Sequence, residues 1–548
     1  MTTDLVVSDK SQVEQTTSQK ITVITFAPVQ GFIEKSRKLR DLYGASQILS
    51  YLSKQIIQAA QNEGLKVISP VSLGDSDLIQ GMPNRVLMVG EIEKDVARNL
   101  LENALLVGWQ KITDTCKHWV ERNVPNISTH DWEMSWKRWR LHSWEVFLGQ
   151  GQSIQVAMHD LETRKLQRAW TVANWNGESS SLSGHDAIAY PKMDREINVE
   201  TKQNQQGLKS EIEAFYDALA KKLDQDPDSK KNDRAYINEN ERLSIPELIK
   251  RLITYEVIAN KIHHELYTPS FREMLRKDAV TGETYWTGWF MGDGDEVGKK
   301  LKALSTLPNA EDAVTEFSTN LRRWGLNFQH EFEQEKRGRV VYAGGDDFLG
   351  VMYTDQKGVH LKGSDAIDWL IRLRDDWRGE DKYSEQLGIK LSVGFVWAGH
   401  SVPQRDVLQH CREAEKRAKN LGRDRVTIRI VFNNGQFVEW TTPWEYLSWL
   451  KNYRDRDGNT GQDANWSHVY SDLAQLKARN AIPSTNSIHQ DSAIALALFK
   501  LYFGDENYAV LFSKRRDITN TEDPKALIQW IEGMIKVGWQ LLAEKNDV

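Results

Sequence analysis

The stretch Tyr342-Ala343-Gly344-Gly345-Asp346-Asp347-Phe348-Leu349-Gly350 decides how the rest of the chain is read. Val340, Val341 and Tyr342 read as an apolar strand, Gly344 and Gly345 as a tight turn carrying two adjacent carboxylates, and Phe348 to Val351 as the returning strand. Neighbouring carboxylates repel each other, so they cost folding energy and are useful chiefly when a hard cation lies between them. Gly and Asp are also ordinary turn residues, and these nine positions alone leave a solvent-facing turn equally open. The decision rests on what the chain brings alongside.

At 548 residues the chain exceeds one hydrophobic core, and roughly 150 residues per domain implies three or four. With 40% hydrophobic and 27% charged residues, the composition is that of a globular protein. A net charge of -6 argues against a generally basic nucleic-acid coat while leaving room for a local basic groove. Cys116 and Cys411 are the only cysteines, which excludes a disulfide framework or a Cys-rich zinc site and fits a reducing cytoplasm. No apolar run approaches the ~18 residues of a membrane span, and residues 1–19 have no signal-peptide core.

Residues 1–19 read as a disordered leader. A strand from Ile21 to Phe26 follows, then Ala27-Pro28-Val29-Gln30-Gly31 and a helix whose Leu42, Ala45, Leu49, Leu52, Ile56 and Ala59 share one face. Short strands near Val67 and from Val86 to Val89, and a long helix from about Ile92 to Trp119, give the β-α-α-β-β-α order of a ferredoxin-like or palm domain, assigned to 20–175. Within it, Trp136-Lys137-Arg138-Trp139-Arg140 reads as an amphipathic helix, or alternatively as a stacking clamp for single-stranded RNA. Residues 176–280 form an intervening, mainly helical domain with a mobile polar insertion at 200–240.

The first pattern then repeats over 281–435. A strand from Tyr285 to Met291 runs into Gly292-Asp293-Gly294-Asp295, helices follow, and the opening hairpin precedes the strand Leu391 to Trp397 and the helix Arg405 to Leu421. Residues 436–548 read as helices only, the last opened by Asp523 with Pro524 at its first turn. The fold class expected is α+β, with two ferredoxin-like palm domains of polymerase or cyclase type, the intervening domain and a C-terminal helical bundle.

In that sheet order Asp293 ends one strand and Asp346 and Asp347 sit on the neighbouring hairpin. Three carboxylates meeting at one end suit a pair of Mg²⁺ or Mn²⁺ ions, with open positions for phosphate oxygens during nucleotidyl transfer. Asp295 is the less certain member, since its side chain can point away along the turn. Lys419, near a helix end, is placed to meet a triphosphate or simply to serve the helix dipole. Backbone amides around Gly344 and Gly345 are candidate nucleotide contacts. Gly292 to Lys300 imitates a phosphate-binding loop but has the wrong glycine spacing and no following Ser or Thr. In the first copy Ala27-Pro28-Val29-Gln30 stands where the second has Gly292-Asp293-Gly294-Asp295, and Pro83-Asn84-Arg85 replaces Gly345-Asp346-Asp347, so that copy lacks the acids.

Together, Pro28 to Ile33 with Arg37 to Ser50, Met82-Pro83-Asn84-Arg85, Asp293-Gly294-Asp295 with Gly298, Gly344-Gly345-Asp346-Asp347 and Ser392-Val393-Gly394 resemble the large subunit of type III CRISPR effector complexes, the CRISPR polymerase. The resemblance runs from about residue 20 to the C-terminus. It implies synthesis of cyclic oligoadenylates from ATP, on target RNA binding, in a complex with guide crRNA and further protein subunits and away from membranes. Asp293, Asp346 and Asp347 match the family's metal-binding positions. Two departures shape the expectation. No HD nuclease is expected, since the first strand begins after about twenty residues and the His-Asp pairs His130-Asp131, His159-Asp160 and His185-Asp186 lack the clustered histidines such a site needs. The segment matching the family's zinc-binding region, Ser181 to His185, has no thiol, so no zinc is expected. A catalytically silent scaffold that binds guide and target RNA is the alternative, and a stand-alone cyclic-dinucleotide cyclase a third reading.

Overall fold

Ile21, Val23, Ile24 and Phe26 are all buried although they alternate between the two faces of one strand, so the first sheet is covered on both sides. This computed structural model describes residues 19–73, 81–125, 132–167, 175, 177–194, 202–225, 236–238, 240–267, 273–278, 280–378, 387–483 and 491–543. Nearly all of the expected leader, residues 226–235 of the expected insertion, and the pair His130-Asp131 lie outside the described residues.

In chain order the first part contains β1 (Lys20–Ala27), α1 (Gln30–Glu34), α2 (Leu39–Asn62), β2 (Lys66–Ser69), β3 (Arg85–Gly90), α3 (Lys94–Asn123), α4 (Glu133–His142), β4 (Glu145–Gly151) and α5 (Ile154–Leu166). Its four strands lie in the order β2-β3-β1-β4, all antiparallel. An intervening set of helices follows: α6 (Lys202–Leu223), α7 (Ile245–Leu252) and α8 (Glu256–Ile262). The second sheet is built from β5 (Thr287–Asp295), α9 (Val297–Leu304), α10 (Ala310–Gln334), β6 (Gly338–Ala343), β7 (Asp347–Met352), α11 (Gly363–Arg378), β8 (Lys390–Ala398), α12 (Gln404–Asn420), β9 (Arg425–Val431) and β10 (Phe437–Pro443). Its order, β10-β9-β8-β5-β7-β6, contains the first sheet's order β6-β7-β5-β8 with two strands added, β9 joining parallel to β8. The chain ends in α13 (Ser467–Ala478), α14 (Ala493–Ser513, broken at Gly504 with φ 87°), α15 (Arg515–Thr519) and α16 (Pro524–Leu542).

Three elements differ from the sequence reading, the first being α6, which occupies part of the stretch 200–240 read as a mobile polar insertion and buries Ile212, Phe215, Tyr216 and Leu219 in the first core. The strand β4 lies where a Trp-rich basic stretch hid it, and β10 lies in a region read as helical only. Pairing with β9 and packing of Trp440 against Trp530, ring centroids 5.4 Å apart, make β10 the platform on which the C-terminal helices share the second sheet's core. The basic aromatic run forms α4, and Trp136 points inward, 5.5 Å from the buried Trp132, while Arg140 pairs with Asp114. Among the described residues no helix is long and apolar enough to cross a membrane.

The two sheets cover each other reciprocally. Leu39, Leu42 and Tyr43 of α2 pack on the second sheet against Trp289, Val341, Leu349 and Val396, while Ala45, Ile48, Leu52 and Ile56 of the same helix pack on the first. In return, Val314 of α10 and Leu301 and Leu304 of α9 pack against Ile21, Val23, Leu87 and Val89 of the first sheet. Each buried side chain of this kind contributes about 1.5–3 kcal/mol. The intervening helices anchor to α2 through a buried ion cluster. The Arg251 guanidinium, fully buried, donates to Asp41 at 2.8 Å twice and to Glu241 at 2.6 Å. Gly44 of α2 makes room for the Lys250 carbonyl, which would lie 2.0 Å from a Cβ there. The segment around Ser181 to His185 is held by hydrogen bonds, Ser181 N–H to the Arg242 carbonyl at 2.9 Å and Ser180 N–H to the Asp186 carbonyl at 2.8 Å.

Candidate active site at the acidic hairpin

The pairing of β5 with β7 and β8 sets Asp293 directly opposite Asp347 on one side and opposite Ser392 on the other. Across the same junction the Gly294 N–H donates to the Asp346 carbonyl at 2.7 Å, and the Asp346 Cβ lies 3.1 Å from where a Cβ on Gly294 would be. All three carboxylate residues therefore stand at one end of the sheet. The environment of Asp346 and Asp347 opposes ionisation. Asp347 stays open to solvent at its outer edge but is otherwise surrounded by protein, and burial, then Asp346 and Asp293, push its carboxyl up to about 7. Burial and then Asp293 also raise Asp346, and burial raises the Tyr342 hydroxyl behind them, with Asp347 and Asp293 adding to it. Hard oxygen donors whose charge is held back by one another fit a divalent cation, which relieves that repulsion.

Lys419 reaches the same point from the last turn of α12. A Cβ on Gly394 would lie 2.4 Å from the Cys411 carbonyl oxygen and 2.4 Å from the Glu415 nitrogen, so a glycine there lets α12 sit hard against β8. The Lys419 ammonium contacts the Asp293 carboxylate and stands 2.5 Å from Glu415. Burial alone would lower its pKa, but the hydrogen bonds to Asp293 and Glu415 outweigh it and raise it. Glu415, itself raised by burial, was not among the residues singled out in the sequence; its position four residues before Lys419 on one helix face was the available signal. Asp295 is placed apart from this group. Buried, it accepts hydrogen bonds from Ser392 Oγ at 2.8 and 2.9 Å and from the Asp424 N–H at 2.9 Å, and so ties β5 to β8 and the turn after α12.

The hairpin glycines differ from the expected tight turn. Neither Gly344 nor Gly345 adopts a positive φ. A Cβ on Gly344 would lie 1.9 Å from the Gly81 carbonyl oxygen, so this glycine exists for a close approach between the two turns. Its N–H donates to the Asp347 carbonyl at 3.2 Å. Gly345 has open space, its nearest neighbour being Pro83 Cγ at 3.7 Å.

The strand register also corrects how the two copies correspond. Gly149 of β4 lies against α5 as Gly394 lies against α12, since a Cβ on Gly149 would meet the Ala157 carbonyl oxygen at 2.3 Å and the Leu161 nitrogen at 2.4 Å. Gly149 faces Val23, and Gly394 faces Met291. Thr25 is therefore the counterpart of Asp293, and Ala27 that of Asp295, a three-residue shift from the sequence reading. Arg85, opposite Thr25, is the counterpart of Asp347, opposite Asp293. The first copy remains without acids at these positions.

Elsewhere, Asp455, Asp457 and His468 have ligand-type atoms all within 4.8 Å of one another, a tighter grouping than the hairpin carboxylates form. The Asp455 oxygens accept from the N–H groups of Asp457, Asn459 and Asn465, each at 2.9 Å, which makes this carboxylate a loop staple. Of the His-Asp pairs, Asp160 is bonded to Lys94 and Asp186 to Lys35, the latter at 2.8 Å.

Two sheets of the same strand order, one carrying acids and one not, define a double-palm protein. Residues 286–427 match the model of the Cas10/Cmr2 second palm domain, and residues 21–114 match that of the CRISPR-associated protein Cmr2 N-terminal domain. Over these two stretches the chain is thus similar to Cas10/Cmr2, the large subunit of type III CRISPR complexes. No curated protein sequence matches it. Among solved structures, the type III-B Cmr-beta complex in its apo state, determined by cryo-EM, contains a chain of the same fold. It is 11% identical, with 95% of this chain and 82% of that chain covered, at a TM-score of 0.55. Csm1 of T. onnurineus is 13% identical, with coverage of 96% and 70% and a TM-score of 0.47. The Csm1-Csm4 cassette in complex with one ATP is 14% identical, with the same coverage and a TM-score of 0.43.

Proposed function

We propose that this chain joins ATP molecules into cyclic oligoadenylates by nucleotidyl transfer at the Asp293, Asp346 and Asp347 hairpin, working with guide crRNA, target RNA and further protein subunits. The observation that carries the reading is the register pairing Asp293 with Asp347 beside Asp346. These three carboxylates would hold a divalent cation such as Mg²⁺ or Mn²⁺, which supplies Lewis acidity to phosphate oxygens and a lowered pKa to a ribose 3′-hydroxyl. In the reaction the 3′-oxygen forms a bond to the α-phosphorus of a second ATP, the bond to pyrophosphate breaks, and the hydroxyl proton leaves to water. Lys419, already drawn to Asp293 and Glu415, is a cation that can turn to the departing phosphates. Gly344 serves the site by letting the hairpin lie against the first sheet, and Asp295 by holding β5, β8 and the turn after α12 together.

The test is to incubate the assembled complex with ATP, Mg²⁺ and matched target RNA and to look for oligoadenylates by mass spectrometry. Asp346→Ala with Asp347→Ala should abolish product and leave assembly intact, because both residues lie at a turn and not in a core. No product from the unaltered complex would refute the reading in favour of a silent scaffold. Product made without RNA or partner subunits would refute its RNA-dependent part and favour a stand-alone cyclase.

A further inference from the structure

The acid-free end of the first sheet carries chemistry of its own. Where the second copy pairs two carboxylates, Asp293 and Asp347, the first pairs a hydroxyl and a guanidinium, Thr25 and Arg85. The turn leading to Arg85 is held firmly. Ser50 Oγ accepts from the N–H groups of Gly81 at 3.0 Å and Met82 at 3.1 Å, and Asn84 Nδ2 donates to Thr25 Oγ1 at 3.0 Å and to the Phe26 carbonyl at 2.9 Å. That turn is also pressed onto the acidic hairpin. A Cβ on Gly81, at φ 107°, would meet the Ala343 carbonyl carbon at 2.6 Å and the Gly344 nitrogen at 2.7 Å, and Pro83 faces Gly345. Arg85 lies two residues beyond Pro83, so it closes the turn that faces the acidic hairpin. Its recorded ion pair, Nη2 to Glu162 of α5 at 3.7 Å, joins two side chains 44% and 55% exposed. A pair that long and that open holds the guanidinium weakly.

We propose that Arg85 is a phosphate-binding residue that the first sheet lends to the nucleotide at the second, a proposal that rests on the nucleotidyl-transfer reading above. A nucleoside triphosphate approaching three carboxylates needs cations beyond any metal. Lys419 supplies a point charge from α12, and Arg85 supplies, from the other copy, a planar fork able to hold two phosphate oxygens at once. On nucleotide binding Arg85 exchanges Glu162 for phosphate.

The experiment titrates ATP against the assembled complex with Mg²⁺ and target RNA, reading pyrophosphate release and, separately, ATP binding by calorimetry. Arg85→Met should raise the KM for ATP and weaken ATP binding by about tenfold or more, as loss of a charged hydrogen-bonding partner requires. Its kcat should fall much less than its kcat/KM. Arg85→Lys, which keeps the charge and loses the fork, should be intermediate, and it decides the matter if Arg85→Met lowers the melting temperature. Glu162→Gln should leave KM unchanged or lower it. Product formation with an unchanged KM in both Arg85 variants would overturn the assignment and leave the synthetase reading standing. An unaltered complex that neither binds ATP nor makes product would overturn both.

Discussion

Replacing Gly344 with alanine isolates the contact between the two turns. Three backbone atoms of Gly81 surround the new methyl: the carbonyl oxygen at 1.9 Å, its carbon at 2.6 Å and the Cα at 2.9 Å. Contact distances for such atoms are about 3.5–4.0 Å, so the two chains must part by roughly 1.5 Å, and no side-chain rotation can absorb it. Overpacking of this kind costs about 1–3 kcal/mol. The displaced segment is the one that carries Asp346 and Asp347, and a misplacement of about 1 Å at reacting groups can lower turnover by about 10²-fold. Gly345→Ala is the internal control. With Pro83 Cγ at 3.7 Å and no positive φ, it should stay within about 0.5 kcal/mol of the unaltered protein. Thermal melts of the full chain and oligoadenylate yield from the assembled complex read both quantities. If the glycines act instead only through their amides toward phosphate, both alanine variants keep those N–H groups and behave alike. Equal stability and equal yield for the two variants, or a larger defect in Gly345→Ala, would refute the steric account.

Three further predictions concern the packing. Arg251→Ala leaves Asp41 and Glu241 buried without their partner and should cost about 3–5 kcal/mol in urea unfolding. Burial alone would raise the Asp41 carboxyl, but Arg251 beside it holds it at about 2, below the ordinary 3.8. The stability this contributes, about 2 kcal/mol, is complete above pH ~4 and is lost as pH falls toward 2, so Asp41→Asn should flatten that stretch of the acid-unfolding profile. Gly149→Ala and Gly394→Ala create matching collisions, each with a helix backbone 2.3–2.4 Å away, and both should lower stability by about 1–3 kcal/mol. Only Gly394→Ala should also impair oligoadenylate synthesis, since only α12 carries Glu415 and Lys419; equal loss in both variants would count against the assigned site.

Periodicity made much of this legible. Alternation in Leu391, Val393, Phe395 and Trp397, and three- and four-residue steps in α2 and α10, report burial directly, so the second sheet and its helices could be placed before any coordinates. The gathering of Asp293, Asp346 and Asp347 at one sheet end was readable for the same reason, because Asp293 lies close to the end of β5 and Asp346 and Asp347 lie at the start of β7. What could not be read depends on contacts between segments distant in sequence. The strand β4, Glu145-Val146-Phe147-Leu148-Gly149-Gln150-Gly151, looks too glycine-rich for a strand until Gly149 is seen beneath α5. The three-residue error in aligning the copies has the same origin, since matching Ala27-Pro28 to Gly292-Asp293 compared turn composition, whereas register is set by Gly149 and Gly394 against their helices. Gly344 carries no local mark to separate a turn glycine from a contact glycine. The Trp136 run was likewise ambiguous, since interleaved cations describe a solvated helix face and a nucleic-acid clamp equally well.

The reciprocal covering of the sheets makes this polypeptide a dimer folded within one chain. In a two-subunit assembly such an interface forms only at sufficient concentration, whereas here the linker holds both halves at a fixed, high effective concentration. Neither half is complete without the other. Residues 286–427 taken alone would leave Trp289, Val341, Leu349 and Val396 without Leu39, Leu42 and Tyr43. The first half taken alone would lose Val314 over Ile21 and Leu87. The first copy keeps the covering residues along α2 and carries Thr25, Asn84 and Arg85 where its twin carries acids. The result is one packed interface between two unequal halves that cannot dissociate.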